Sequence, residues 1–139
     1  FHGRDVFAPV AAHLACGAKL EDLGPAVMKI VPAPIPEPAP QNDGSLLGEI
    51  IAIDNFGNCV TNLNLTDVLR LGSADRLEVS LSGGPFSSIC MTYSDVAPGA
   101  NLALFGSSGR LELAIRDGNL CEKKSINRGV SVRVKNTYG

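Results

Sequence analysis

Five prolines at alternate positions divide this chain into two differently patterned parts. The series comprises Pro32, Pro34, Pro36, Pro38 and Pro40. Proline lacks the backbone N–H that helices and central strands use, and it holds the preceding residue in an extended conformation. Residues 31–43 are therefore predicted to form an extended linker. We place a domain boundary there, with residues 1–30 belonging to an earlier domain and residues 44–139 forming their own.

The N-terminal part shows one helical pattern. Apolar residues recur at helical spacing between residues 7 and 15, Pro9 suits a first turn, and Gly17 can end the helix. The chain has no initiator Met and opens on Phe1-His2-Gly3-Arg4-Asp5, which resembles the junction between the end of a strand and a helix. We therefore expect residues 1–30 to be the tail of a larger domain.

Beyond Gly44 the pattern changes to short aliphatic and β-branched runs bounded by turn residues. With 15 Gly and 9 Pro in 139 residues, breakers are frequent enough for a mainly β fold. The predicted strands are residues 46–53, 59–63, 76–81, 87–93, 101–105, 110–116 and 130–134. A short helix is predicted over residues 65–71, starting at Thr66 and stopping at Gly72. A small antiparallel barrel would remove the exposed edges of such strands.

Charge and composition exclude several partners and cofactors. The net charge of −2 and the pI of about 5.6 argue against nucleic acid. No apolar run reaches the ~20 residues of a membrane span. The four cysteines, which are Cys16, Cys59, Cys90 and Cys121, form no Cys-x-x-Cys pair and indicate no metal site. We expect reduced, mostly buried thiols in a cytoplasmic protein.

The first candidate site is the polar cluster at the N-terminus. Ligands bind at the carboxyl ends of strands in α/β domains, so His2 could orient a water molecule there. Arg4 and Asp5 could form an ion pair or supply charges at the helix start. A loop histidine that is merely solvated or structural is the alternative. His13, on the helix, has a weaker claim.

Two further candidates lie in the predicted barrel. In the segment Asp54-Asn55-Phe56-Gly57-Asn58, Phe56 could stack on a base, Asn58 could pair with an adenine edge, and Asp54 could hold an ammonium group. The loop of residues 106–109, with Glu112 and Ile115, could bind a carboxylate through hydroxyls and backbone amides. The alternative for both is ordinary turn structure.

Three motifs together resemble one family. They are Phe1-His2-Gly3-Arg4-Asp5-Val6-Phe7-Ala8-Pro9, then Ile53-Asp54-Asn55-Phe56-Gly57-Asn58 with Thr61-Asn62, then Ser107-Ser108-Gly109 with Leu111-Glu112-Leu113-Ala114 and Gly118-Asn119. In this order they resemble the S-adenosylmethionine (SAM) hydroxide adenosyltransferases, relatives of the fluorinases and chlorinases. The resemblance covers essentially the whole chain. It implies an N-terminal α/β domain, whose tail is residues 1–30, joined to a C-terminal β-barrel.

The resemblance also implies roles for single residues. His2 matches the histidine of an Asp-Arg-His set that positions the attacking water, with the other two outside this chain. Further matches concern the substrate: Asp54 lies near the methionine amino group, Phe56 and Tyr93 wall the adenine site, Asn58 reads the adenine edge, Ser107 contacts the methionine end, and Glu112 and Ile115 approach the adenosine. No cofactor or metal is implied.

The implied reaction is hydrolysis of SAM to adenosine and L-methionine, in a homotrimer whose sites lie between the N-terminal domain of one subunit and the barrel of its neighbour. The chain alone would then be inactive. Halogenating relatives carry Arg at the position of Ser108, so the methionine carboxylate needs another partner here. The alternatives are a SAM-dependent halogenase and a non-catalytic nucleoside-binding barrel.

Overall fold

A computed structural model describes residues 1–31 and 34–137 of the chain. The chain divides into two compact units, Phe1–Ala33 and Pro34–Gly139. Pro32 and Ala33, which belong to the predicted linker, lie outside the described residues, as do Tyr138 and Gly139. That residues 1–30 are the tail of an α/β domain stays a prediction.

The first unit contains one α-helix, α1 (Ala8–Ala15), as predicted. A π-helical turn, Gly3–Phe7, precedes it, and a 3₁₀ turn, Leu20–Leu23, follows it. Pro9 lies in the first turn of α1, where its missing N–H costs no hydrogen bond. Gly17, with φ of +95°, ends the helix in a conformation that other residues adopt at a cost.

The second unit is a sheet of eight strands within the described residues, antiparallel throughout its ladders and nearly closed into a barrel. The strands are β1 (Ala39–Pro40), β2 (Leu46–Ile53), β3 (Cys59–Asn64), β4 (Leu77–Leu81), β5 (Gly84–Ser88), β6 (Asn101–Phe105), β7 (Arg110–Ile115) and β8 (Ser131–Asn136). Their order is β5-β4-β8-β2-β3-β7-β6, and β1 pairs with β2. Cys90 N donates to Ala103 O at 2.7 Å, which joins the chain after β5 to β6. The predicted mainly β, antiparallel barrel is confirmed.

The core is built from strands along which buried side chains alternate with more exposed ones. In β4, Leu77, Val79 and Leu81 are buried while the residues between them are partly exposed. In β8, Val132 and Val134 are buried in the same way. Burying each such side chain contributes roughly 1.5–3 kcal/mol. No helix among the described residues is long and apolar enough to cross a membrane.

Two short helices flank the barrel strands. Helix α2 (Leu65–Leu69) lies inside the predicted range, but Asn64 and not Thr66 caps it, accepting from Asp67 N at 2.9 Å. Helix α3 (Leu120–Lys124) was not predicted from the sequence.

One strand prediction was wrong. The strand expected over residues 87–93 is β5, which starts at Gly84 because Ser82 and Gly83, both with positive φ, complete a two-residue turn after β4. It ends early because the Asp95 carboxylate accepts from the N–H groups of Met91 and Thr92, at 2.8 and 2.9 Å. The result is a 3₁₀ turn, Tyr93–Asp95.

Candidate functional site

The loop between β2 and β3 is organised by Asp54. Its Oδ1 accepts from Phe56 N at 2.8 Å and Asn58 N at 2.9 Å, and its Oδ2 accepts from Asn58 Nδ2 at 2.9 Å. The backbone closes the loop where Asp54 N donates to Asn58 O at 3.0 Å. A carboxylate has about four acceptor positions, so Oδ2 can take another donor. Asp54 therefore combines a structural role with remaining capacity for a ligand.

Asn58 and Phe56 present different surfaces on this loop. Asn58 is only 9% exposed, and its side chain is fixed by the bond to Asp54. Among residues 1–31 and 34–137, no other partner is described for the second amide hydrogen and the carbonyl Oδ1, and these are the donor and acceptor pair that an adenine edge requires. Phe56 is 76% exposed at the tip of the turn, with its ring faces open.

Gly57 allows the loop to approach helix α3. Its φ is +82°, and a Cβ at this position would overlap the side chain of Asn119. Asn119 caps α3 by accepting from Glu122 N at 2.9 Å, and Cys121 N donates to Gly57 O at 3.1 Å. The candidate loop is therefore held by a helix that the sequence prediction missed. The Asn-x-x-Glu spacing of residues 119 and 122, typical of a helix start, is the signal that would have found it.

Strand register places the candidate residues on one side of the barrel. Cys59 and Leu113 are a buried cross-strand pair that faces the core. The next pair, Val60 and Glu112, must face outward because side chains alternate along a strand. Asn58 precedes β3, and its side chain binds Asp54, the carboxylate whose charge acts on Glu112. We call the outward side of β6 and β7 the outer face; its residues are Leu102, Leu104, Glu112 and Ala114.

Glu112 lies against a glycine and beside another carboxylate. A Cβ at Gly106 would overlap the Glu112 carboxylate, so the glycine leaves the space that this side chain occupies. Burial raises the pKa of Glu112, and the negative charge of Asp54 raises it further. The sequence predicts Gly106 only as part of a turn, and no local pattern indicates this contact.

Tyr93 completes the cluster. It is 39% exposed. Burial raises the pKa of its phenol, and the charges of Glu112 and Asp54 raise it further. The same Asp54 charge contributes, after burial and Cys121, to raising the pKa of the Cys59 thiol to about 11. Asp54, Tyr93 and Glu112 are therefore close enough to influence one another electrostatically, and together they form an acidic surface beside an aromatic ring.

Two other predicted site residues are Ile115 and Ser107. Ile115 is 3% exposed and packs in the main core, so its side chain is not on an open surface. Ser107 is exposed, as is Ser108, in the loop that Gly109 N closes by donating to Gly106 O at 2.9 Å. Their roles toward the methionine end stay predictions.

His2 lies in the first unit. It precedes the π-helical turn and is exposed. Arg4 pairs with Asp5 through Nε and Nη2, at 2.6 and 3.0 Å, and this pair lowers the pKa of Asp5. The ion pair is thus formed by Arg4 and Asp5, and the His2 side chain has no bond to either.

The cysteines and acidic residues suggest no metal centre. Across residues 1–31 and 34–137, no three His, Cys, Asp or Glu side chains converge as ligands. All four cysteines are free. Only Cys59 is buried, so the expectation of mostly buried thiols was wrong for Cys16, which is exposed, and for the half-buried Cys90 and Cys121.

Comparisons with known proteins place these features in a family. Residues 48–133 match the model of the SAM hydroxide adenosyltransferase C-terminal domain. The chain is 39% identical over 134 residues to the (R)-S-adenosyl-L-methionine hydrolase of Thermus thermophilus, covering 96% of this chain and 48% of that protein. It is 34% identical over 143 residues to the fluorinase of Nocardia brasiliensis, covering 97% and 48% respectively.

A solved structure agrees with this result. The crystal structure of an uncharacterized conserved protein from Thermotoga maritima has a TM-score of 0.68 and 31% identity, over 98% of this chain and 52% of that one. The chain thus spans about half the length of the relatives that it matches. The chain belongs to the SAM hydroxide adenosyltransferase family, whose C-terminal domain it carries in residues 48–133.

Proposed function

We propose that this chain is the adenosine-binding half of an enzyme that hydrolyses SAM to adenosine and L-methionine. The observation that carries the proposal is the cluster of Asp54, Asn58, Tyr93 and Glu112 on one side of the barrel. It provides a polar edge, an aromatic surface and negative charge, in a domain of the SAM hydroxide adenosyltransferases.

Each group fits a part of the substrate. Phe56 and Tyr93 offer rings for stacking on adenine, and the free amide atoms of Asn58 match its hydrogen-bonding edge. SAM carries a positive sulfonium and an ammonium group. The neighbouring carboxylates of Asp54 and Glu112 favour such cations, and a ligand cation would in turn offset their mutual repulsion.

The chemistry is a displacement at the ribose 5′ carbon. A water oxygen forms a bond to this carbon while the carbon–sulfur bond breaks, and its electron pair leaves with sulfur as the neutral thioether of methionine. The water loses a proton to a base or to solvent. Because water is a weak nucleophile, the site must hold it in line and exclude competing solvent. We assign its positioning to His2, together with an Asp and an Arg from outside this chain.

The complete site needs a second part. Because the chain spans about half of its relatives, we propose that an N-terminal domain supplies the remaining groups and that the enzyme is a homotrimer with sites between subunits. The exposed Phe56 ring would then be covered in the assembly. The 139-residue chain alone is expected to give no turnover.

Halogenation of the same substrate is the second candidate, and the similarity to a fluorinase favours it. Ser108 argues against it, because halogenating relatives have Arg at that position. His2 also favours the hydrolase. Gly3 argues only against a fluorinase, whose pattern has a hydroxyl there, because hydrolases and chlorinases share the small residue.

A product assay in ¹⁸O-water, with and without chloride or fluoride, distinguishes the candidates. The complete enzyme should convert SAM to adenosine that carries ¹⁸O at the 5′ position, whether or not halide is present. A 5′-halogenated nucleoside would establish the halogenase. Adenosine binding without any turnover would indicate a non-catalytic binding domain. His2→Ala should abolish most of the turnover, whereas His13→Ala on α1 is the matched control and should not.

A further inference from the structure

The segment that carries Tyr93 is held to the outer face by few contacts. We call residues 91–96 the strap. Inside it, the Asp95 carboxylate accepts from Met91 N, Thr92 N and Thr92 Oγ1 at 2.8 to 2.9 Å. These bonds give the strap its own shape. They do not attach it to the sheet.

Attachment to the sheet comes from a small apolar cluster and one arginine. Cys90, directly before the strap, and Val96, at its end, pack against the cluster that Leu102, Leu104 and Ala114 form. Arg116 Nη1 donates to Val96 O at 2.6 Å and, more weakly, to Ser94 O at 3.4 Å. A hydrogen bond from a charged donor is about twice as strong as one between neutral groups.

Arg116 is itself well anchored. Its backbone N donates to Ala100 O at 2.9 Å, and its O accepts from Gly99 N at 2.7 Å. It follows β7 directly, so alternation puts its side chain on the same side as Glu112 and Ala114. Arg116, which holds the strap, therefore lies directly after the strand that carries Glu112.

Tyr93 depends on this attachment. Within the described part of the chain, its hydroxyl makes no hydrogen bond, so the backbone of the strap decides where the ring lies. We infer that Arg116 is a positioning residue that fixes the Tyr93 ring beside Glu112 and Asp54 by binding the carbonyls of Ser94 and Val96. The effect of Arg116 on ligand binding rests on the proposed function. Its effect on the position of the Tyr93 ring does not.

The first test observes Tyr93 without any ligand. The chain has two tyrosines and no Trp, so Tyr138→Phe leaves Tyr93 as the only fluorophore of its kind. In that background, Arg116→Gln should raise the quenching of Tyr93 fluorescence by acrylamide, a neutral quencher. Arg116→Lys keeps the cation and one donor group and should give an intermediate value. Arg133→Gln is the matched control, because Arg133 also binds two acceptors, Asp43 and Ser45, and it should leave Tyr93 quenching unchanged.

The second test measures adenosine affinity by calorimetry on the complete enzyme with the same Arg116 and Arg133 substitutions. Arg116→Gln should weaken binding about tenfold, the usual consequence of losing a charged hydrogen bond, and Arg133→Gln should not. Unchanged Tyr93 quenching in Arg116→Gln would overturn the inference, even if the melting temperature falls. If Arg116→Gln does not fold, unchanged Tyr93 quenching in Arg116→Lys would overturn the inference. A complete wild-type enzyme that does not bind adenosine, while Tyr93 quenching still responds to Arg116→Gln, would refute the proposed function and support the positioning role.

Discussion

At the scale of single residues, the candidate site depends on the space around Glu112. Gly106 provides that space, since any Cβ there would overlap the carboxylate. The overlapping group is the end of a flexible side chain, so a larger residue would displace Glu112 and leave the barrel backbone in place. The resemblance to the family predicted Glu112 as a site residue. The local sequence contains no signal for the contact between Glu112 and Gly106 across the turn.

Gly106→Ala is therefore expected to weaken adenosine binding while reducing the free energy of unfolding by about 1 kcal/mol, the low end of the cost of overpacking, because a flexible side chain can move away. Gly84→Ala is a matched control, because a Cβ there approaches nothing closer than Leu81 O at 3.8 Å. Calorimetric titration and thermal melts on both variants check this. A large loss of stability with unchanged binding in Gly106→Ala would show that Glu112 has no part in the site.

Glu112→Gln tests the electrostatics of the cluster. The pKa of Glu112 is raised by burial and by Asp54, so the folded state holds its proton more tightly than the unfolded state does. The ionised form is thus penalised above the raised pKa, and the penalty disappears below the ordinary carboxyl pKa of about 4.3. Glu112→Gln should raise the melting temperature at about pH 7 and give no difference at about pH 3.

The control for that substitution is Glu122→Gln in the first turn of α3. A carboxylate favours a helix N-terminus, so its removal should not stabilise the protein at neutral pH. Equal melting temperatures of Glu112→Gln and wild type near neutrality would contradict the acidic cluster.

At the scale of elements, the β2–β3 loop and helix α3 form one structural unit. Gly57 lies at their contact, with a positive φ and no room for a Cβ beside Asn119. Gly57→Ala should therefore combine backbone strain with a steric clash. Gly44 has a similar φ of +75° and open space around it, so Gly44→Ala measures the strain alone.

Gly44→Ala is expected to lower the free energy of unfolding by about 1 to 2 kcal/mol, and Gly57→Ala by a further 1 to 3 kcal/mol, roughly the cost of overpacking. Denaturant unfolding of both variants gives the difference directly. Equal losses would mean that α3 does not support the loop.

The strands and the candidate site also show how much of the structure could be predicted from the sequence. Strands β2 and β6 were predicted to the residue, because alternation and turn residues mark both of their ends. Strand β5 starts three residues earlier than predicted, after the turn at Ser82 and Gly83, and ends five residues earlier, because Asp95 accepts from backbone N–H groups that a strand would otherwise use. The side chains of Asp54 and Asn58 were predicted as neighbours within one turn. Their proximity to Tyr93 and Glu112 depends on pairing between distant strands, which local patterns do not specify.

At the scale of the whole molecule, we propose that the barrel presents a partial site. Phe56 lies in the same β2–β3 loop as Asp54, and most of its surface is open. This arrangement is suited to a site that a second protein surface completes. A domain that spans about half the length of its relatives would need such a surface. The first unit carries His2.

The central claim is that the β2–β3 loop recognises adenosine through Asn58. The most direct test is calorimetric titration of adenosine into the complete enzyme and into Asn58→Ala, with thermal melts of both. Asn58→Ala should weaken binding by about 1 to 3 kcal/mol, the cost of leaving a buried polar partner unpaired. The melting temperature should change little, because Asp54 Oδ1 still accepts from Phe56 N and the N–H of residue 58. Unchanged affinity with a lowered melting temperature would contradict the account and leave Asn58 as a residue of an ordinary turn.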